Sequence, residues 1–255
     1  MSTLTRKRRG QNNRVGRPPR DPASVETVPS GYFRWQGVRC RLAGAVLLVP
    51  ALPVIGLLVL VVRLTSRGPG VFRQTRVGLA GRHFTMYKLR TMRIDAEAGT
   101  GPVWTQENDP RVTAVGRLLR RLHLDEFPQL FNVVRGEMAL IGPRPERPEF
   151  VHRLARDIPG YLDRLCVRPG ITGLAQINLP PDTDLDSVRR KLVLDVEYVE
   201  RGSVGIDVRI FLATFLRLFH IRTAILLGLL GLRRHPELLP ESAELDLVGL
   251  ALPRE

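Results

Sequence analysis

The chain has 255 residues, 44% of them hydrophobic, and its 39 Lys and Arg against 25 Asp and Glu give a formal net charge of +14. That length buries one core of ordinary size, and that charge calls for an acidic or phosphorylated partner. Two distant cysteines, Cys40 and Cys166, exclude a disulfide framework and a thiolate zinc site, and the five histidines are scattered singly, so any metal would be held by oxygen, as magnesium is.

In chain order, residues 1–30 are rich in Arg, Pro, Asn and Ser without an apolar run, and are expected to be a disordered basic tail. Arg6-Lys7-Arg8-Arg9 suits anionic lipid better than nucleic acid, because no aromatic interleave or helix-turn-helix pattern accompanies it. The tail is no secretory signal, since the apolar stretch begins late and has no cleavage site. Leu42 to Val62 carries no charge and is long enough to cross a hydrocarbon core, but Pro50 and Pro53 predict a kink or break in its middle. Arginines flank it on both sides (Arg34, Arg39 and Arg41; Arg63, Arg67, Arg73 and Arg76), so residues 31–64 are expected to enter and leave a membrane on one side, with a plain spanning helix as the alternative.

Gly68-Pro69-Gly70 then turns the chain into a globular part, expected over residues 65–222. Arg73 to Gly78 and Phe84 to Met92 read as a hairpin whose cations, Lys88 and Arg90 among them, face phosphate, lipid head groups or merely solvent. Asp95 to Pro110 reads as a loop near the mouth of the site. Val115, Leu118, Leu119 and Leu122 sit at helical spacing in Val112 to His123, with arginines on the other side. That helix delivers Asp125 and Glu126, and adjacent carboxylates divide covalent work, one attacking or holding a metal while its neighbour moves a proton or tunes it. Pro128 fits a first helical turn, so the bland alternative is a pair of capping acids.

Beyond the pair, Pro143 and Pro145 bracket Arg144 and fix a planar fork suited to phosphate. Arg168-Pro169-Gly170-Ile171-Thr172-Gly173 likewise combines a cation with glycines that admit an anion close to the backbone. Ile210 to Leu232 is apolar with Arg217, His220 and Arg222 interspersed, as in an interfacial helix or a buried one, and residues 223–255 are expected to be a tail.

Taken together, Arg73 to Gly78, Phe84 to Met92, Gly116 to Val133, Arg135 to Pro145, Val167 to Asn178, Asp195 to Val199 and Ile206 to Ile210 resemble the bacterial sugar transferase family, the monotopic phosphoglycosyl transferases. The resemblance runs from about Arg39 to about Leu218. It implies an α+β fold: a small membrane-associated catalytic domain with a proline-broken re-entrant N-terminal helix, where Leu52 replaces the family's usual Ser before Pro53, and interfacial amphipathic helices. It also implies transfer of a phosphosugar from a nucleotide diphosphate sugar, expected to be a UDP-sugar, to polyprenyl phosphate, expected to be undecaprenyl phosphate, at the start of polysaccharide or glycoconjugate assembly. Asp125 would attack the β-phosphorus and form a phosphosugar-aspartyl intermediate, with Glu126 in support and Mg2+ close to Asp125. Lys88, Arg90, Arg120, Arg144 and Arg168 would meet the substrate's phosphates, and Arg120 would keep Asp125 ionised.

The expected setting is the bacterial inner membrane with the catalytic domain on the cytoplasmic face. The expected partners are the two substrates and the lipid bilayer, with no nucleic acid; a homodimer stays open. A competing reading from another class is a non-catalytic membrane-surface module that binds anions, but a carboxylate pair amid its cations would weaken such binding. A soluble nucleotide-sugar hydrolase is disfavoured by Leu42 to Val62.

Overall fold

The computed structural model describes residues 25, 31–99, 101, 103, 109–217 and 223–234. Most of the expected basic tail, part of the Asp95 to Pro110 loop, residues 218–222 and residues 235–255 lie outside this set.

Helix α1 (Gly31–Thr65) runs through Pro50 and Pro53 as one continuous helix, so of the expected kink or break the break does not occur. Each proline still removes a donor, which frees the carbonyls of Val46 and Val49. Its buried residues, Phe33, Gln36, Gly37, Cys40, Gly44, Ala51, Ile55 and Val62, recur at helical spacing and form one stripe on both sides of the prolines. Away from the stripe, Trp35, Leu42, Val46, Val49, Leu52, Leu57, Leu60 and Leu64 stand exposed.

The body that the stripe packs against holds two small sheets. Strands β1 (Val71–Val77) and β2 (His83–Leu89) form the expected antiparallel hairpin, with Phe72 opposite Lys88. Strands β3 (Ala139–Ile141) and β4 (Gly170–Thr172) pair in parallel. At this crossing the backbones of Gly142 and Gly170 approach so closely that a Cβ on Gly170 would overlap the Gly142 nitrogen.

Helix α2 (Ala114–Arg121) starts at Thr113, whose hydroxyl accepts from Gly116 N at 2.9 Å. Leu119 enters the core beside Val62 and Leu89. Leu118, expected on the apolar side, is instead 56% exposed, because the face that α2 buries is narrower than its leucine pattern. Helix α3 (Gln129–Arg135) ends at Gly136 in the left-handed region (φ 78°). Helices α4 (Pro148–Asp157), α5 (Leu174–Asn178) and α6 (Leu185–Arg201) complete the body, α6 opening on a reciprocal Asp184–Ser187 cap.

Helix α7 (Val204–Arg217) falls within the expected globular part, and α8 (Thr223–Leu229) begins just beyond its expected end. Ile210, Ala213, Leu226, Leu227 and Leu232 join Phe33, Ile141, Leu194 and Tyr198 in the main core. Asn178 donates to Leu232 O at 3.0 Å, and Arg234 pairs with Glu197 at 2.8 Å. The packed body therefore continues to Arg234 and does not end at residue 222. The buried reading of the apolar C-terminal segment holds on one face, while Phe211, Leu212 and Phe215 remain exposed on another.

Candidate active site

The acid pair lies in a 3-10 turn (Leu124–Glu126) between α2 and α3. His123 makes the turn possible by taking a left-handed conformation (φ 55°), which histidine adopts more readily than most side chains. Strand β2 supplies Lys88, whose Nζ donates to Glu126 Oε1 at 2.8 Å. From the other side Arg144 Nη2 donates to the same oxygen at 2.9 Å. Burial alone would push Glu126 up, but the Lys88 ammonium and the Arg144 guanidinium hold it well below the usual carboxylate range.

Asp125 is different. It is 7% exposed and, among the described residues, has no hydrogen-bond or ion-pair partner. Burial raises its pKa, opposed by Lys88, reinforced by Glu126, and opposed again by Arg120 and Arg144. The net shift is upward, which reverses the expectation that Arg120 holds it low: Arg120 acts in that direction, but desolvation is larger. Arg120 is itself held by Thr91, to whose Oγ1 its Nε donates at 2.8 Å.

Of the cations singled out in the sequence, Lys88, Arg120 and Arg144 converge on the pair, and two do not. Arg90 donates to the carbonyls of Ser66 and Arg67 and to Ser66 Oγ, which closes the end of α1. Arg168 donates from Nε to Gly136 O at 3.1 Å and lies over Gly37 of α1, where a Cβ would stand 2.5 Å from its Nη1. Its position is the far end of α3 from the pair.

Two supports escaped the sequence reading. Three successive carbonyls of the Arg144 loop are bonded: Pro143 O by Gly170 N (2.9 Å), Arg144 O by Arg164 Nη2 (2.8 Å) and Pro145 O by Arg76 Nη1 (2.9 Å). Arg164 is in turn paired with buried Asp195 at 2.7 Å. The second is Asn132, fully buried in α3, which bonds the edge of β2 as a backbone peptide would: Oδ1 accepts from Tyr87 N at 3.1 Å and Nδ2 donates to Thr85 O at 2.7 Å. The same Nδ2 donates to Glu137 Oε2 at 2.6 Å. A lone Asn inside the apolar run Leu130 to Val134 was the signal for it, because a buried amide must find partners.

A carboxylate left without a partner beside one clamped by two cations is a layout for a nucleophile working on an anion. The Bacterial sugar transferase family matches residues 38–221, and the chain belongs to that family. It is 42% identical over 190 residues to the undecaprenyl-phosphate glucose phosphotransferase of Komagataeibacter xylinus, covering 71% of this chain and 35% of that protein. It is 41% identical over 188 residues to the UDP-N-acetylgalactosamine-undecaprenyl-phosphate N-acetylgalactosaminephosphotransferase of Aeromonas hydrophila, covering 73% and 44%. Against the UDP-glucose:undecaprenyl-phosphate glucose-1-phosphate transferase of Escherichia coli K12 the figures are 42% over 166 residues, 64% and 36%. The chain thus spans between a third and a half of the length of these three relatives.

Proposed function

We propose that this chain transfers a sugar phosphate from a UDP-sugar to undecaprenyl phosphate at a membrane surface. The contrast between Asp125, buried and without a partner, and Glu126, neutralised by Lys88 and Arg144, carries this function. The names of the relatives supply the substrate classes. An Asp125 oxygen attacks the β-phosphorus of the donor; the bond to the bridging oxygen breaks, and uridine monophosphate leaves. The phosphate oxygen of the lipid then attacks the phosphosugar-aspartyl intermediate, which restores the Asp125 carboxylate and yields a lipid diphosphate sugar. Arg144 has donors beyond the one on Glu126, and with Lys88 and Arg120 it places positive charge where the transferring group gains negative charge.

Among the described residues no three acids or histidines gather to form a metal cage. Magnesium fits nonetheless, because it is commonly held by one or two carboxylates together with substrate phosphates, and Asp125 has a carboxylate to give. Bound there, it would neutralise charge on the diphosphate.

For the membrane, α1 keeps Leu42, Val46, Val49, Leu52, Leu57, Leu60 and Leu64 exposed over an uncharged stretch long enough to enter a bilayer, a surface suited to lipid. We place α1 in the inner leaflet of the bacterial plasma membrane, with the body on the cytoplasmic face where nucleotide sugars are found. The reaction is tested by incubating detergent-purified protein with a panel of UDP-sugars, undecaprenyl phosphate and magnesium. Release of uridine monophosphate, and a phosphosugar adduct in intact-protein mass spectra, are expected from the wild type and absent from Asp125→Asn. Wild-type turnover in that variant would remove Asp125 as nucleophile.

A further inference from the structure

Around the last turn of α3, four arginines gather with no carboxylate partner among the described residues. Arg41 donates from Nε to Val134 O at 3.1 Å and packs over Gly136, and Arg168 donates to Gly136 O. Arg135 donates to the Tyr87 hydroxyl at 2.9 Å and lies 5.4 Å from the centre of that ring, and Arg73 lies over the same ring at 5.9 Å. The nearest acid in sequence, Glu137, accepts from Asn132. Arg41, Arg73 and Arg135 are exposed, and Arg168 is half-buried. Four like charges so close repel one another unless anions lie among them.

The position of this cluster says which anions. Arg41 is the last charge before the uncharged stretch from Leu42 to Val62, so it marks the level at which the apolar side of α1 begins. Its bond to Val134 fixes the end of α3 at that level, and Tyr87, Arg135 and Arg73 follow through their contacts. A tyrosine ring in contact with two guanidinium groups beside an apolar helix suits a headgroup layer: the aromatic ring tolerates the interface, and the planar forks match phosphate oxygens. None of the four bonds the acid pair.

We infer that Arg41, Arg73, Arg135 and Arg168 form a seat for the headgroup phosphates of anionic phospholipids, separate from the transfer site. This rests on the membrane placement proposed above. The seat would hold the body at a fixed height and tilt, with the acid pair at the other end of α3.

The test uses the whole chain reconstituted in phosphatidylcholine vesicles, with spin-labelled phosphatidylglycerol or phosphatidylcholine as probe. The wild type is expected to immobilise the anionic probe several-fold more strongly than the neutral one. Arg73→Gln with Arg135→Gln should bring that preference close to parity, since one arginine near an anionic surface is worth up to about fivefold. Arg73→Lys with Arg135→Lys should keep most of it, and millimolar inorganic phosphate should not displace the lipid probe. Uridine monophosphate release in detergent should be unchanged in both double variants. An undiminished preference in the Gln variant, or none in the wild type, overturns the seat while leaving the transferase reading intact; displacement by free phosphate overturns lipid as the source. Failure to enter vesicles at all overturns the seat together with the membrane placement, and loss of nucleotide release from the wild type speaks only to the transfer reaction.

Discussion

At the scale of single residues, Asp125 carries a conflict between stability and chemistry. Its carboxyl is buried and holds its proton more tightly in the fold than in the unfolded chain. A group of that kind favours folding only while protonated, so stability falls as pH rises from the ordinary carboxylate range through the raised value. Above the ordinary carboxylate range Asp125 is therefore destabilising, and at neutral pH Asp125→Asn is expected to melt a few degrees higher while turning nothing over. Melting curves at several pH values check this: the gain should shrink below the ordinary carboxylate range, and a lower melting temperature at neutral pH would mean that the charge is compensated. Lys88 offers a second measurement. It is the strongest of the charges that hold Asp125 down, so Lys88→Gln should move the acid limb of kcat/KM to higher pH, besides lowering its plateau. An acid limb that stays in place would assign it to another group.

At the scale of elements, the site depends on how α3 is fixed to β2. Gly44 of α1 brings the helices together, since a Cβ there would stand 2.7 Å from Val133 Cγ1, and Asn132 then sets the register against Thr85 and Tyr87. Lys88 follows Tyr87, and Glu126 lies just ahead of α3, so the Asn132 bonds set how ammonium and carboxylate meet. Asn132→Ala leaves Tyr87 N and Glu137 without these partners, at a cost of about 2–4 kcal/mol, and should lower kcat more than it raises KM. Denaturant unfolding and kinetics on one preparation would separate the two effects; an unfolding midpoint equal to wild type would refute the anchor. Much of this scale was legible in the sequence: the hairpin followed from its alternation and α2 from its leucines, while the nearness of Lys88, Arg120 and Arg144 to the pair came from the family resemblance. The roles of Arg90 and Arg168 were not, because a sequence names a cation without saying whether its nearest anion is a substrate or a carbonyl at a helix end. Desolvation was equally hidden, so the effect of Arg120 on Asp125 was overrated.

At the scale of the whole molecule, the decisive element is α1. A straight helix of 35 residues would run about 50 Å, more than the roughly 30 Å of a hydrocarbon core, and composition alone left a spanning helix open. The packing narrows the choice. Phe33 near the start of α1 packs with Tyr198, and Gln36 donates to Tyr198, Asp207 and Ile141 O. Near its other end Val62 is buried with Leu89 and Leu119 of the same body. A helix fastened to one body at both ends keeps both ends on that body's side of a membrane, whatever its middle does. The prolines then free carbonyls on the exposed side but need not set the topology, so Pro50→Ala with Pro53→Ala should leave both ends where they are. Gly31→Cys and Arg82→Cys, in a background with Cys40 and Cys166 replaced, put exposed thiols before and after the helix. An impermeant maleimide should label both in inverted membrane vesicles and neither in intact spheroplasts, with or without the prolines. Labelling of Gly31→Cys from outside would mean that α1 spans the bilayer, and its packing along the body would then have to come apart in the membrane.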